Sequence, residues 1–253
     1  MKIIVAIKQV PVRDSNFEID DSGKWIEEDD LNFEINEPDA YALEEALQLK
    51  EKHGGEVVVL CAGPDRATQT IREALAKGAD RAIHIEADDL ATLDTLGIAT
   101  RLADAVKSEG ADLILTGLQS DDLGLGQTGV VMAELLGIPH ATIIMEVDVM
   151  DSAIKVKREL EDGWYQMVEM PLPALLTIQS GISKLRYATL MGIKKAKTKE
   201  IRNVDAEPMP DNAISLDKVY MPSKKKETQM LTGDAKTVAA QLAEKLKFEV
   251  RVL

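Results

Sequence analysis

A chain of 253 residues with 45% hydrophobic and 4% aromatic content has the size for one aliphatic-cored domain, or one domain with an appendage. A formal net charge of −14 argues against wrapping nucleic acid or an anionic membrane surface. The single cysteine, Cys61, excludes an intramolecular disulfide and a cysteine-based zinc site, and no run of about 18 apolar residues is present to insert in a bilayer.

The N-terminus MKIIVAIKQV is too short and too charged for a signal peptide, so a cytoplasmic protein is expected. Residues 2–10 are β-branched and almost continuously apolar, as in a parallel strand buried on both faces. From Asp14 to Glu45 thirteen acidic residues stand against one lysine, the mark of a solvated excursion. A helix is expected over 38–52, with Pro38 in its first turn and His53-Gly54-Gly55 as its stop. A strand over 56–61, the turn Ala62-Gly63-Pro64 and a helix capped by Asp65, burying Thr68, Ile71 and Leu75, come next. A strand over 80–85 and a helix over 93–106, with Leu93, Leu96, Ala99, Leu102, Ala103 and Val106 on one stripe, complete the alternation. This βαβ rhythm predicts an α/β fold: an open, mostly parallel sheet flanked by helices, with ligands at the carboxyl edge of its strands.

Residues 113–137, LILTGLQSDDLGLGQTGVVMAELLG, divide into a buried strand, a loop of Gly, Ser, Asp and Gln, and a helix from about Thr128. Only the loop is rich in residues that tolerate positive φ and leave backbone N–H groups free. A glycine loop feeding a helix N-terminus is a ready anion site, which makes this stretch the expected phosphate cradle of a nucleotide. After Gly137 four strand-like pieces, 141–150, 153–160, 165–170 and 174–179, read as a β-meander. From Ser183 the core pattern fades. Residues 184–202 carry seven basic residues and one acid, and Pro208, Pro210 and Pro222 mark an irregular arm. Thr232-Gly233-Asp234 then caps a last helix with Val238, Leu242 and Leu246 in line. The expected division is 1–183, nucleotide-binding domain with meander, and 184–253, an arm that lies on something else.

Catalytic constellations are thin. His53, His84 and His140 fall at a helix end, in a strand and in a loop, where structural roles are commoner. Ser120 with Asp121 and Asp122 lacks a nearby histidine, and phosphate–Mg²⁺ sites normally bring a lysine or a Ser/Thr ligand after the glycine loop, which weighs against an Mg²⁺ reading of the paired aspartates. Gly124-Leu125-Gly126-Gln127-Thr128-Gly129 is a literal GxGxxG that invites an NAD-dependent oxidoreductase. That fingerprint belongs in the first βα turn, with its first glycine at the strand end; here Gly117–Leu123 intervene. The residues by themselves describe a nucleotide binder without catalytic groups of its own.

Several segments in order resemble the β subunit of electron transfer flavoprotein. They are Ala6-Ile7-Lys8-Gln9, Asn36-Glu37-Pro38-Asp39 with Ala42-Leu43-Glu44-Glu45-Ala46, and Ala76-Lys77-Gly78-Ala79-Asp80-Arg81. To these add Lys157-Arg158-Glu159-Leu160-Glu161-Asp162-Gly163 running on to Pro173-Ala174-Leu175-Leu176-Thr177, and Arg186-Tyr187-Ala188-Thr189-Leu190. The resemblance implies an adenine-nucleotide α-hydrolase-like sheet and a non-catalytic subunit of a heterodimer. FAD would be held mainly by the α subunit, taking electrons from flavin dehydrogenases of the acyl-CoA dehydrogenase type to a quinone oxidoreductase. It implies a structural AMP on Ala6, Asn36, Glu37, Pro38, Asp39, Ala62 and the run Gly117-Leu118-Gln119-Ser120-Asp121-Asp122-Leu123-Gly124-Leu125-Gly126-Gln127-Thr128. It also implies a partner-recognition loop, Tyr187-Ala188-Thr189-Leu190-Met191-Gly192-Ile193-Lys194-Lys195, with Leu190 as apolar anchor ringed by Lys194, Lys195, Lys197 and Lys199. Electron-bifurcating relatives carry a second FAD in place of AMP; Gln127-Thr128-Gly129-Val130 is nearer the AMP type. Where some members place an aromatic residue near the flavin, this chain has Pro11-Val12-Arg13, leaving Arg13 as a weak β-side candidate.

Overall fold

The structure is a computed structural model that describes residues 1–205, 212–223 and 228–252; Pro208 and Pro210 lie outside them. Two compact units are present, residues 1–219 and residues 220–253.

In the first unit the central strand β1 (Lys2–Ala6) is flanked by β4 (Glu56–Gly63) and β6 (Leu113–Gly117), both parallel to it. Beyond β4 lie β5 (Arg81–Glu86) and then β11 (Ile201–Asp205); beyond β6 lie β10 (Ala174–Ile178), β7 (His140–Val149), β8 (Ala153–Glu159) and β9 (Tyr165–Pro171). Among the described residues the antiparallel pairs of this sheet are β7–β8 and β8–β9, so β8 alone runs against the other strands. The continuous apolar runs follow from burial on both faces. Ile3 and Val5 enter one core with Leu43 and Leu47 of α1 (Glu37–His53) and Ile71 and Leu75 of α2 (Ala67–Lys77). Ile4 and Ala6 enter the opposite core with Leu102 and Val106 of α3 (Thr95–Val106) and Met132 of α4 (Thr128–Leu136). Among the described residues no helix is long and apolar enough to cross a membrane.

Several local expectations are corrected. The first strand ends at Ala6: the Lys8 amide donates to the Asp39 carboxylate instead of a strand neighbour, and the chain turns aside so that β2 (Gln9–Pro11) pairs antiparallel with β3 (Phe33–Ile35). Residues 174–178 are no meander strand. All five are buried, and β10 slots between β6 and β7, parallel to both. Arg66, not Asp65, precedes α2 and supplies no side-chain cap, and Thr70 takes the buried place expected of Thr68. α3 starts after Asp94, whose carboxylate accepts the Gly97 amide at 2.9 Å, and Leu96 faces solvent. His140 opens β7 and does not sit in a loop.

Several elements had no counterpart in the sequence reading, β3 among them. β11 adds to the outer edge of β5, and a short helix α5 (Leu190–Ala196) precedes it. In the second unit α6 (Ala235–Lys245) is capped by Asp234, which accepts the Thr237 amide at 2.9 Å as the sequence suggests. None of its residues is buried.

Candidate functional site

Winding proceeds from β1 to β4 and β5 on one side and resumes at β6 on the other, so the carboxyl ends of β1 and β6 flank the point where strand order reverses. Open α/β sheets leave a crevice there. The first turn of α1 drops into it. Asp39, 6% exposed, accepts the Lys8 amide through Oδ2 at 2.7 Å and the Gly117 amide through Oδ1 at 2.8 Å. One carboxylate thus ties the two strand ends together. Burial pushes its carboxyl up to about 7, against the lowering effect of those two N–H groups.

Asn36, immediately before α1, clips the glycine loop at two points. Its Nδ2 donates to the Gln119 carbonyl and its Oδ1 accepts the Asp121 amide, each at 2.9 Å. Within the loop the Gly124 amide donates to the Ser120 carbonyl at 2.9 Å, and Gly124 and Gly126 both stand at φ +64°, a region costly for residues with a Cβ. A Cβ at Gly126 would stand in ordinary contact with Leu118 O at 3.7 Å and Gln119 Cβ at 3.9 Å, so positive φ, not crowding, is what calls for glycine there. Gly129 is the reverse case: a Cβ would lie 2.6 Å from Thr116 Oγ1 and 2.9 Å from Thr177 Cγ2, so this glycine lets α4 seat tightly on β6 and β10.

The loop's carboxylates would repel an anion, yet each has a cation. Lys8 Nζ donates to both oxygens of Asp122, at 2.7 and 2.6 Å; Lys8 is foremost among the attractions that hold the Asp122 carboxyl low against its partial burial. Arg13 Nη2 lies 2.9 Å from Glu37 and 3.6 Å from Asp121. Arg13 therefore serves the loop's own charge balance, and the side chain that reading the sequence passed over is Lys8. Of the expected nucleotide contacts, Ala6, Asn36, Glu37, Pro38, Asp39 and the loop from Gly117 to Thr128 gather at this one crevice, with Ala62 at the carboxyl end of the adjacent strand β4.

The expected recognition residues are elsewhere. α5 packs on the last turn of α2, at the amino edge of the sheet: a Cβ on Gly192 would collide with the Ala76 carbonyl. Thr189 caps α5 by accepting the Gly192 amide at 3.0 Å. Leu190 is 89% and Tyr187 94% exposed, with Met191 and Ile193 also exposed beside them. Ala188 turns inward against the core, and Lys194 and Lys195 are exposed. Lys199 departs from the expected ring of free cations, since its Nζ is spent on the carbonyls of Leu75, at 3.0 Å, and Ala79.

The model of the Electron transfer flavoprotein domain matches residues 24–209. The chain is 37% identical to the electron transfer flavoprotein subunit beta of Methylophilus methylotrophus, covering 96% of each. It is 35% identical to that of Bacillus subtilis (strain 168), over 92% of this chain and 90% of the relative, and 35% identical to that of Syntrophomonas wolfei over 100% and 98%.

The chain belongs to the electron transfer flavoprotein β-subunit family.

Membership makes this an electron-transport protein associated with flavin, and it assigns Gly124-x-Gly126-x-x-Gly129 to a carrier subunit in place of a dehydrogenase. The Asn36-Glu37-Pro38-Asp39 run that helped carry the resemblance acquires a physical meaning as well: Asn36 shapes the loop and Asp39 closes the gap between strands. Asp39 carried no sequence signal for that duty, because an acid in the first turn of a helix ordinarily answers the helix dipole at the surface.

Proposed function

We propose that this chain is the β subunit of a heterodimeric electron transfer flavoprotein and that it holds AMP as a structural nucleotide in the crevice between β1 and β6. The observation that carries the reading is the two-point clip of Asn36 on the 119–121 backbone beside the Asp39 bridge. It fixes a glycine loop that is uncrowded at Gly126 and whose Asp122 and Asp121 carboxylates lie beside Lys8 and Arg13. Such a loop can take a nucleotide monophosphate through N–H groups at the start of α4 without first removing its own charges. In this reading the chain's part at the crevice is to bind and brace.

In this reading FAD lies mainly on an α subunit, and when bound it supplies the one-electron chemistry. The β chain contributes docking. Leu190, with Tyr187, Met191 and Ile193, forms an apolar spot beside Lys194 and Lys195, suited to a transient partner whose encounter is sped by charge and fixed by one buried side chain. Flavin dehydrogenases of the acyl-CoA dehydrogenase type would dock there to pass electrons to the FAD, and a quinone oxidoreductase would receive them from the complex. The unburied apolar side chains of the tail, including Leu242, Phe248 and Val250, suit an arm that embraces the α subunit.

Leu190→Ala tests the docking half. Loss of a hot-spot anchor costs about 2 kcal/mol or more, which is roughly a thirtyfold rise in KM for the electron-donating dehydrogenase. Flavin and nucleotide content should not change. Unaltered kinetics would remove Leu190 from the interface.

A further inference from the structure

A seven-residue helix has no stability of its own in water, and α5 must nevertheless present Leu190 in one orientation. Its support is a reciprocal exchange with α2. From α2, Arg72 Nη1 donates to the carbonyls of Ala196 and Lys199, at 2.6 and 2.7 Å, which closes the carboxyl end of α5. In return Lys199 Nζ donates to the carbonyls of Leu75, at 3.0 Å, and Ala79, closing the carboxyl end of α2. Each cation thus adds a donor to backbone acceptors at the end of the opposite helix. Between the two pairs Gly192 lies against the Ala76 carbonyl and Ala196 is buried. Ahead of α5, Arg186 is forked onto Glu44 and Glu51 of α1.

We infer that Arg72 and Lys199 are positioning residues for partner recognition: the crossed pair of carbonyl clamps keeps α5 folded and oriented so that Leu190 is displayed before a partner arrives. This rests on the docking role of Leu190 proposed above. Neither residue touches the partner, and neither belongs to the nucleotide crevice at the other edge of the sheet. Binding to a partially formed element is weakened by the fraction of time it is formed. If Arg72→Met leaves α5 ordered about 10–20% of the time, KM for the dehydrogenase rises about five- to tenfold with kcat unchanged.

The test uses the intact two-subunit flavoprotein with Arg72→Met, Lys199→Met, Leu190→Ala and the double variant Arg72→Met/Leu190→Ala. An acyl-CoA dehydrogenase with its acyl-CoA is the electron source, and amide hydrogen exchange is measured in parallel. The inference expects faster exchange confined to α5 and the turn after it in both Met variants, with β1 and β4 still protected. It also expects a KM rise without a kcat change, and no added KM penalty from Arg72→Met once Leu190 is already Ala. Unchanged exchange at α5, or a full additive penalty in the double variant, would overturn it. If exchange at α5 rises while Leu190→Ala leaves KM untouched, the mounting stands and the docking role is what fails. Exchange that rises throughout the sheet would mean plain destabilisation and would also overturn the positioning role.

Discussion

Replacing Asp39 by asparagine probes the joint between fold and site. Both carboxylate oxygens are committed, one to the Lys8 amide at 2.7 Å and one to the Gly117 amide at 2.8 Å. An asparagine has one oxygen and one NH₂, so in Asp39→Asn one of the two amides must face a second donor. Leaving a buried N–H unpaired costs about 1–3 kcal/mol. Gly117 is fully buried and Lys8 half-exposed, so the oxygen should stay with Gly117 and the loss should fall at Lys8, where water can offset part of it; the lower half of that range is expected. The pH dependence has a definite sign. Burial raises the Asp39 carboxyl from 3.8 to about 7, so the folded chain holds this proton more tightly than the unfolded chain. The stabilisation it contributes is full below about 4 and is lost as pH rises through about 7. Asparagine does not titrate, so the stability gap between wild type and Asp39→Asn should be wider at pH 5 than at pH 8. Urea denaturation at both pH values measures the gap, and amide exchange at Lys8 and Gly117 locates it. A variant within about 0.5 kcal/mol of wild type at both values would refute the bridging role, and a gap that widens toward pH 8 would show that the two N–H donors outweigh burial.

Two further outcomes follow from the same geometry. Burial and the neighbouring Glu44 push the Glu45 carboxyl from 4.5 up to about 7, so its contribution is likewise full at low pH and lost through about 7. Glu45→Gln should be close to neutral at pH 5 and should stabilise at pH 8 by on the order of 1–3 kcal/mol, read as a higher Tm; equal effects at both pH values would contradict the burial argument. Gly126→Glu places a side chain at φ +64°, at a backbone cost of about 1–2 kcal/mol, and sets a carboxylate where phosphate is proposed to sit. Bound nucleotide should fall far below stoichiometric, and a full complement would move the phosphate site away from this loop.

Much of the nucleotide-side architecture was legible because its signals are local. The 113–115 run is apolar, the glycines after the strand cluster, and Thr128 opens a helix where the loop ends. Asn36 and Pro38 likewise mark the start of α1. Elsewhere the deciding interactions join residues far apart in the chain. Asp39 reads as a surface acid until β1 and β6 converge on it. Lys8 reads as strand residue until Asp122 arrives from more than a hundred residues away. β10 did carry its signal, five consecutive buried positions, but the hairpins before it disguised a strand that returns to the middle of the sheet. β11 gave almost none, because an edge strand with one neighbour tolerates the polar alternation of IRNVD. Arg72 and Lys199 have no spacing signature at all: long cations that reach backbone carbonyls look like any others.

The nucleotides held by the intact complex test the crevice most directly. Denaturing the purified heterodimer and identifying the released nucleotides by mass and absorbance should give AMP and FAD in equal amounts, with the AMP lost in Gly126→Glu and the FAD retained. Two FAD and no AMP would place a second flavin in the β1–β6 crevice and make the protein a bifurcating carrier, and a complex with no adenine nucleotide besides a single FAD would contradict the crevice as a nucleotide site.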